Sequence, residues 1–325
     1  MRESPVQTVG VRLADGWSGR VAIAPTESAR RPTDGKVGPT SRNVGSTSDI
    51  SLTLPPAAEW PALLERLLIS PEKPPGYAAL KHSTDGEVFR ARLEGSTGSI
   101  EVIVKRSHPR GLRRCLAFAL RGGRERRNFD RALELLEAGI EVPTPLAALD
   151  RRRPRRETCL VSAFVPDLVD LDRAAMRDLP RLEPTEAYRV KHAVMSAVVE
   201  LLRRLYDRGL THRDFKASNI MLRHWDGRGG PVSVWLVDLD GVRPLRARST
   251  SRQWHPIIRL AASLMGYAGV TRADRLRFLR LWMGGASAGR PEVKRRYRRL
   301  SDLVSAYNVS ARRRKADKLD GYSGD

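Results

Sequence analysis

Asp214, Lys216 and Asn219 stand within one short stretch, GLTHRDFKASNIML, running from Gly209 to Leu222. Asp238 and Asp240 follow at the end of the apolar run VWLVDLDG. A carboxylate, an ammonium and an amide in that order suit phosphoryl transfer, where a protein mainly positions groups and neutralises charge. Asp214 can orient an attacking hydroxyl. Lys216, two residues on, can reach a transferring phosphoryl group. Asn219 offers an amide oxygen to Mg²⁺, which prefers hard oxygen donors and keeps several waters. Asp238 offers the second oxygen ligand, and Asp240 is a candidate for a second metal. Taken singly, these residues have ordinary explanations: an Asp after a helix is often a turn former, and an Asp at a strand end is a solvated cap. The order helix, Gly, HRDxKxxN, hairpin, apolar strand, Asp is what points to chemistry.

The elements around the loop follow from periodicity. TEAYRVKHAVMSAVVELLRRLYDRG carries Val190, Val194, Ala197, Leu201 and Leu205 at steps of three and four, one buried helix face. Gly209 ends that helix. NIML, the turn RHWDGRGGP and VSVWLVDLD form a hairpin, which brings Asn219 and Asp238 together at its open end. From about Trp254 to Asn308 the pattern is helical. Upstream, LKHS, EVFRARL and SIEVIVKR are three strands joined by turns. The helix RERRNFDRALELLEAG follows, closed by Gly139. EVPTPLAALD and TCLVSAFVP are two further strands, and WPALLERLLIS is a short helix from Trp60. Residues 1–55, rich in Gly, Ser, Thr, Pro and Arg, are expected to form a disordered leader. The expected division is then an N-lobe over 56–165, a C-lobe over 166–310 and a frayed tail over 311–325.

Composition narrows the partners. Of 325 residues 41% are hydrophobic, enough for two lobes with a core. Lys and Arg number 59 against 37 acidic residues, a formal charge of +22, which favours anionic partners. Cys115 and Cys159 lie in no CxxC pattern, so no zinc site or disulfide framework is indicated. No apolar run approaches the roughly 18 residues of a membrane span; the longest candidate, IIRLAASLMGYAGV, contains Arg259. The chain opens without the apolar core of a signal peptide. A cytoplasmic protein is expected, with peripheral contact to an acidic membrane surface at the inner face of the cell membrane.

HRDFKASN resembles the catalytic loop HRDxxxxN of protein-kinase-like enzymes, and VDLDG resembles their metal-binding DFG, with Leu239 for Phe and Asp240 for Gly. Together with TRADRLRFLRLWM and RERRNFDRALELLEAGIEVPTPLAA, these segments are most similar to the lipopolysaccharide kinases of the Kdo/WaaP type, over roughly residues 75 to 300. The resemblance implies an α+β, protein-kinase-like two-lobed fold with a strand-rich N-lobe and a helical C-lobe. It implies ATP and Mg²⁺ as cofactors and transfer of the γ-phosphate to a sugar hydroxyl of a lipopolysaccharide core or related glycolipid. It also gives His212 a backbone-bracing role rather than that of a base.

The resemblance requires a strand lysine on the nucleotide phosphates and a helix glutamate to fix it. VIVK ends at Lys105. Glu125, Phe129, Ala132 and Leu136 are spaced by four, three and four, so Glu125 shares the apolar face of its helix. An inward carboxylate is costly unless paired, and Lys105 is its natural partner. The adenine is expected against backbone groups near Ser162 to Val165. The family's GxGxxG is absent: the turn HSTDG keeps only Gly86, with Ser83 and Thr84 as hydroxyl donors to phosphate. No APE follows VDLDGVR, which points away from peptide substrates. The basic runs RGLRRCLAFALRGGRERR, RRRPRRE and KRRYRRL suit an anionic glycolipid or a membrane surface. They would also suit nucleic acid, which ranks lower because no RNA-binding module stands beside them. The alternatives are a kinase-like enzyme acting on a small molecule or protein serine, an inactive kinase-like scaffold, and an RNA-associated binding protein.

Overall fold

The computed structural model describes residues 7–23, 54–83, 86–109, 111, 115–116, 118–119, 122–153, 155–225, 232–245, 250–284 and 289–320. The chain divides into two compact units, Met1–Val165 and Pro166–Asp325.

The N-terminal unit is built on a seven-stranded sheet in the order β1-β2-β6-β7-β5-β4-β3. The strands are β1 (Gln7–Arg12), β2 (Trp17–Ile23), β3 (Ala78–Ser83), β4 (Gly86–Gly95), β5 (Gly98–Ser107), β6 (Pro145–Arg151) and β7 (Glu157–Ala163). Every neighbouring pair is antiparallel. Helix α1 (Trp60–Leu68) packs with Phe89, Val102, Val104, Leu149 and Val161. Helix α2 (Arg124–Glu137) packs Phe129 against Ala22 and Ala148. Ala148 and Leu149 are adjacent on β6, so the two helices cover opposite faces of the sheet.

Residues 7–23 correct the expectation of a leader. They form the β1–β2 hairpin, which extends the sheet along β6. Val11, Trp17, Val21 and Ala22 are buried, at about 2 kcal/mol for each large apolar side chain removed from water. Two guanidiniums lie over the Trp17 ring, with Arg106 5.8 Å and Arg151 5.1 Å from its centroid. The Gly content that reads as disorder has a packing cause here: a Cβ on Gly19 would stand 1.9 Å from the Ala148 carbonyl oxygen. Residues 1–6 and 24–53 of the expected leader lie outside the described residues.

The C-terminal unit has a three-stranded sheet, β11-β10-β8, and a two-stranded one, β12-β9. Their strands are β8 (Val169–Asp170), β9 (Leu210–His212), β10 (Ile220–Arg223), β11 (Ser233–Leu236) and β12 (Val242–Pro244). Helix α3 (Pro184–Asp207) buries Val190, Val194, Leu201 and Leu205 of the expected face, while Ala197 is half-buried, and Gly209 follows it at φ 65. Helices α4 (Thr250–Ser263), α5 (Arg272–Trp282) and α6 (Arg290–Asp320) complete the unit. The tail expected to fray from residue 311 is helical to Asp320, since Ala, Arg, Lys and Leu are all good helix formers; residues 321–325 lie outside the described residues.

Candidate active site

In the N-terminal unit, β5 is an interior strand that sets Lys105 opposite Val88 on β4 and Leu160 on β7. Val102 and Val104 belong to the core beneath α1, so alternation turns Lys105 to the face covered by α2. Glu125, in the first turn of α2, is fully buried. Lys105 Nζ lies 3.9 Å from Glu125 Oε1, an ion pair rather than a direct hydrogen bond. The carboxylate also accepts from Ser107 Oγ at 3.0 Å, Asn128 Nδ2 at 2.9 Å and Arg124 Nη2 at 3.1 Å. Those partners offset the desolvation that would otherwise exclude a charge from this position. Ser107, Arg124 and Asn128 are additions to the expected pair. Only Asn128 carried a sequence signal, its place one turn beyond Glu125.

Other expected nucleotide contacts have internal partners. Ser83 Oγ donates to the Gly86 carbonyl at 3.0 Å, closing the β3–β4 turn. Gly86 has φ +151, and a Cβ there would meet the Arg106 carbonyl oxygen at 2.1 Å. Close strand approach therefore accounts for this glycine. Thr84 lies outside the described residues. In the expected adenine segment, the Ala163 N–H donates to the Thr144 carbonyl and the Phe164 N–H to that of Glu101, each at 2.8 Å.

In the C-terminal unit, the loop after β9 is pinned to the segment after β11 by backbone bonds. The Arg213 N–H donates to the Gly241 carbonyl at 2.8 Å, and the Val237 N–H to the Asn219 carbonyl at 3.0 Å. Asn219 therefore stands beside the residue preceding Asp238, as the hairpin reading expects. The His212 imidazole is fully buried and donates from Nε2 to the Asp238 carbonyl, 3.3 Å away. Burial pushes its pKa down to about 4, so the ring is neutral at physiological pH and acts as a brace. It packs so closely on Gly241 that a Cβ there would lie 2.5 Å from His212 Cε1. Asp238 itself adopts the left-handed region, φ 58 and ψ 62, a conformation that costs a non-glycine residue about 1 kcal/mol or more.

Four side chains meet on this loop. Lys216 Nζ lies 3.5 Å from Asp214 Oδ2. Arg259 Nη2, from α4, pairs with Asp214 Oδ1. Asn219 Nδ2 donates to the Asp214 carbonyl at 2.9 Å. That bond orients the Asn219 amide, with Oδ1 as its remaining oxygen donor. Asn219 Oδ1 and the exposed Asp238 carboxylate are hard oxygen donors of the kind Mg²⁺ takes beside phosphate oxygens and water, so the residues present fit that ion. Asp240 is half-buried in the turn Leu239–Gly241. Among the described residues, no group of three His, Cys, Asp or Glu is placed to hold a metal.

Arg259 and Ser263 were missed by sequence reasoning. Ser263 Oγ accepts the Ala217 N–H at 3.0 Å. His255 also senses this site: burial first, then the Arg213 charge, lowers its pKa, while Asp214 acts the other way. The available signal was the four-residue spacing of His255, Arg259 and Ser263, the polar positions of the otherwise apolar stretch WHPIIRLAAS. A cavity of about 190 Å³ also lies in this unit; it is lined mainly by apolar side chains such as Val194, Leu260 and Phe278, and by none of the loop residues.

Several basic residues turn out to be structural. Arg151 pairs with Asp15, and Arg106 and Arg151 hold Glu157 at 3.1 and 2.8 Å. Arg296 of KRRYRRL pairs with Glu292 at 3.4 Å. Much of the run RGLRRCLAFALRGG lies outside the described residues.

A strand-rich unit with a lysine–glutamate pair, joined to a helical unit with an Asp-Lys-Asn loop and a following Asp, defines a protein-kinase-like fold. The solved structure of WaaP in complex with acyl carrier protein is similar at TM-score 0.51 and 22% identity, covering 74% of this chain and 88% of that one. The crystal structure of the BubR1 kinase domain aligns at TM-score 0.44 and 11% identity, covering 71% of this chain and 83% of that one. No curated protein sequence gives a significant match. The lipopolysaccharide kinase (Kdo/WaaP) family model matches residues 103–282, more than half the sequence. The chain belongs to that family and is a kinase of the lipopolysaccharide type.

Proposed function

We propose that the protein transfers the γ-phosphoryl group of Mg·ATP to a sugar hydroxyl of a lipopolysaccharide core or a related anionic glycolipid. The observation that carries this reading is the Asp214 carboxylate, set between Arg259 and Lys216 in the same loop as Asn219. Asp214 orients the acceptor hydroxyl and takes its proton as the oxygen–phosphorus bond forms and the bond to ADP breaks. Lys216 neutralises the moving phosphoryl group. Lys105, fixed by Glu125, holds the α- and β-phosphates. Asn219 and Asp238 would hold Mg²⁺, which supplies charge neutralisation on the phosphates when bound.

Among the described residues no helix is long and apolar enough to cross a membrane. With the basic excess, this supports a cytoplasmic enzyme in peripheral contact with an acidic membrane face, where a membrane-anchored acceptor is presented.

The test is incubation with labelled ATP and a panel of lipopolysaccharide cores, followed by mass analysis. The expected product is a core heavier by one phosphate, formed only with Mg²⁺. Asp214→Ala should lower transfer by about 10²- to 10⁴-fold, and Asp238→Ala should weaken Mg·ATP binding. Transfer unchanged in Asp214→Ala would remove the assigned role. Because the similar WaaP structure contains acyl carrier protein, each assay is run with and without that protein.

A further inference from the structure

The Asp214 carboxylate is held from outside its own loop. His255, Arg259 and Ser263 lie four residues apart on α4 and so share one stripe of the helix. Ser263 fixes the loop backbone through the Ala217 N–H and donates its own proton to the Leu260 carbonyl at 2.9 Å. Arg259 fixes the reactive side chain through Oδ1. Its guanidinium in turn lies over the Tyr307 ring of α6, 4.9 Å from the centroid. The second oxygen, Oδ2, faces Lys216 at 3.5 Å, beyond a direct hydrogen bond, and so keeps lone pairs for another donor.

We propose that Arg259 is the positioning residue of the transfer reaction: it immobilises Asp214 through Oδ1 so that Oδ2 is the atom presented to the acceptor hydroxyl, beside the Lys216 ammonium. This rests on the function proposed above. The step balances simply. The hydroxyl proton passes to Asp214 Oδ2, the acceptor oxygen bonds to the γ-phosphorus, and the bridging oxygen leaves with its electron pair on ADP. An Asp side chain turns about two bonds, and small misplacements of a reacting group cost about 10²-fold in rate. A guanidinium suits this task better than an ammonium, because its planar fork is directional and stacks on an aromatic ring.

The experiment compares wild type, Arg259→Ala, Arg259→Lys, Asp214→Asn and the double variant D214N/R259A in Mg·ATP transfer to lipopolysaccharide core. R259A should lower kcat by about 10- to 100-fold while KM for ATP stays within about twofold. R259K should fall between R259A and wild type, and added methylguanidinium should restore part of the R259A loss. Because Arg259 acts through Asp214, the double variant should be no slower than D214N alone. A wild-type kcat in R259A, or a further loss in the double variant, would overturn the proposal.

The ion pair is read independently of activity from the ¹⁵N resonances of the Arg259 guanidinium, which should shift in D214N; unchanged resonances would also overturn it. Failure of the function reading looks different: wild type transfers no phosphate, or D214N turns over normally, while the Arg259 resonances still respond to D214N.

Discussion

The two units hold their candidate residues by different means. In the N-terminal unit, Lys105 and Glu125 sit on a central strand and a helix, and the period of each element aims its side chain at the other. In the C-terminal unit, Asp214, Lys216, Asn219 and Asp238 sit in loops and turns held by cross-bonds and by α4. Regular elements place a charge by geometry and then need partners to offset its burial. Loops leave the charge partly in water and need tethers to fix its position.

That contrast can be broken at both ends. The largest effect is expected at the buried charge: Glu125→Ala should cost about 3 kcal/mol or more, because it takes an acceptor from the Asn128 amide and the ion-pair carboxylate from Lys105. Chemical denaturation measures the loss, and nucleotide affinity should fall with it. An unchanged midpoint would mean that Glu125 is not held as a buried ion.

The next effect is a pH dependence from the His212 brace. Its folded pKa, about 4, lies below the ordinary 6.5, so protons bind the unfolded chain more readily. Its contribution is complete above about pH 6.5 and is lost as pH falls towards 4, by about 3 kcal/mol in all. Urea midpoints between pH 7 and 4 should fall less steeply in His212→Gln than in wild type. Equal slopes would contradict the assignment.

Gly241→Ala should follow, at about 1–3 kcal/mol, since its Cβ would press on the His212 ring. Turnover should drop more than the stability loss explains, because the same contact fixes the segment that carries Asp238. Smallest is Ser263→Ala, about 1 kcal/mol, read as faster amide exchange at Ala217. If Gly241→Ala and Ser263→Ala altered stability but left turnover intact, the tethers would be structural only, and the contrast between the units would lose its functional meaning.

The comparison also explains what was legible. Strand alternation and helical spacing are local, so β4, β5, α2 and α3 and the Lys105–Glu125 pair can be read from short windows. The loop motif is likewise contiguous. The β1–β2 hairpin was not legible, because its three glycines resemble a polar linker until β6 is seen beside Gly19. The inward turn of Arg151 towards Trp17 and Glu157 was hidden inside a run, RRRPRRE, that looks like a solvated basic surface.

By itself the amino-acid order determined the two candidate residue sets, one in each unit, and the family to which they point, since all of these rest on spacing along a continuous chain. Only the tertiary structure decided what holds the Asp214 carboxylate. The pairing of Asp214 with Arg259 joins residues 45 positions apart, and their meeting depends on how α4 packs against the loop, a relation that no local period records.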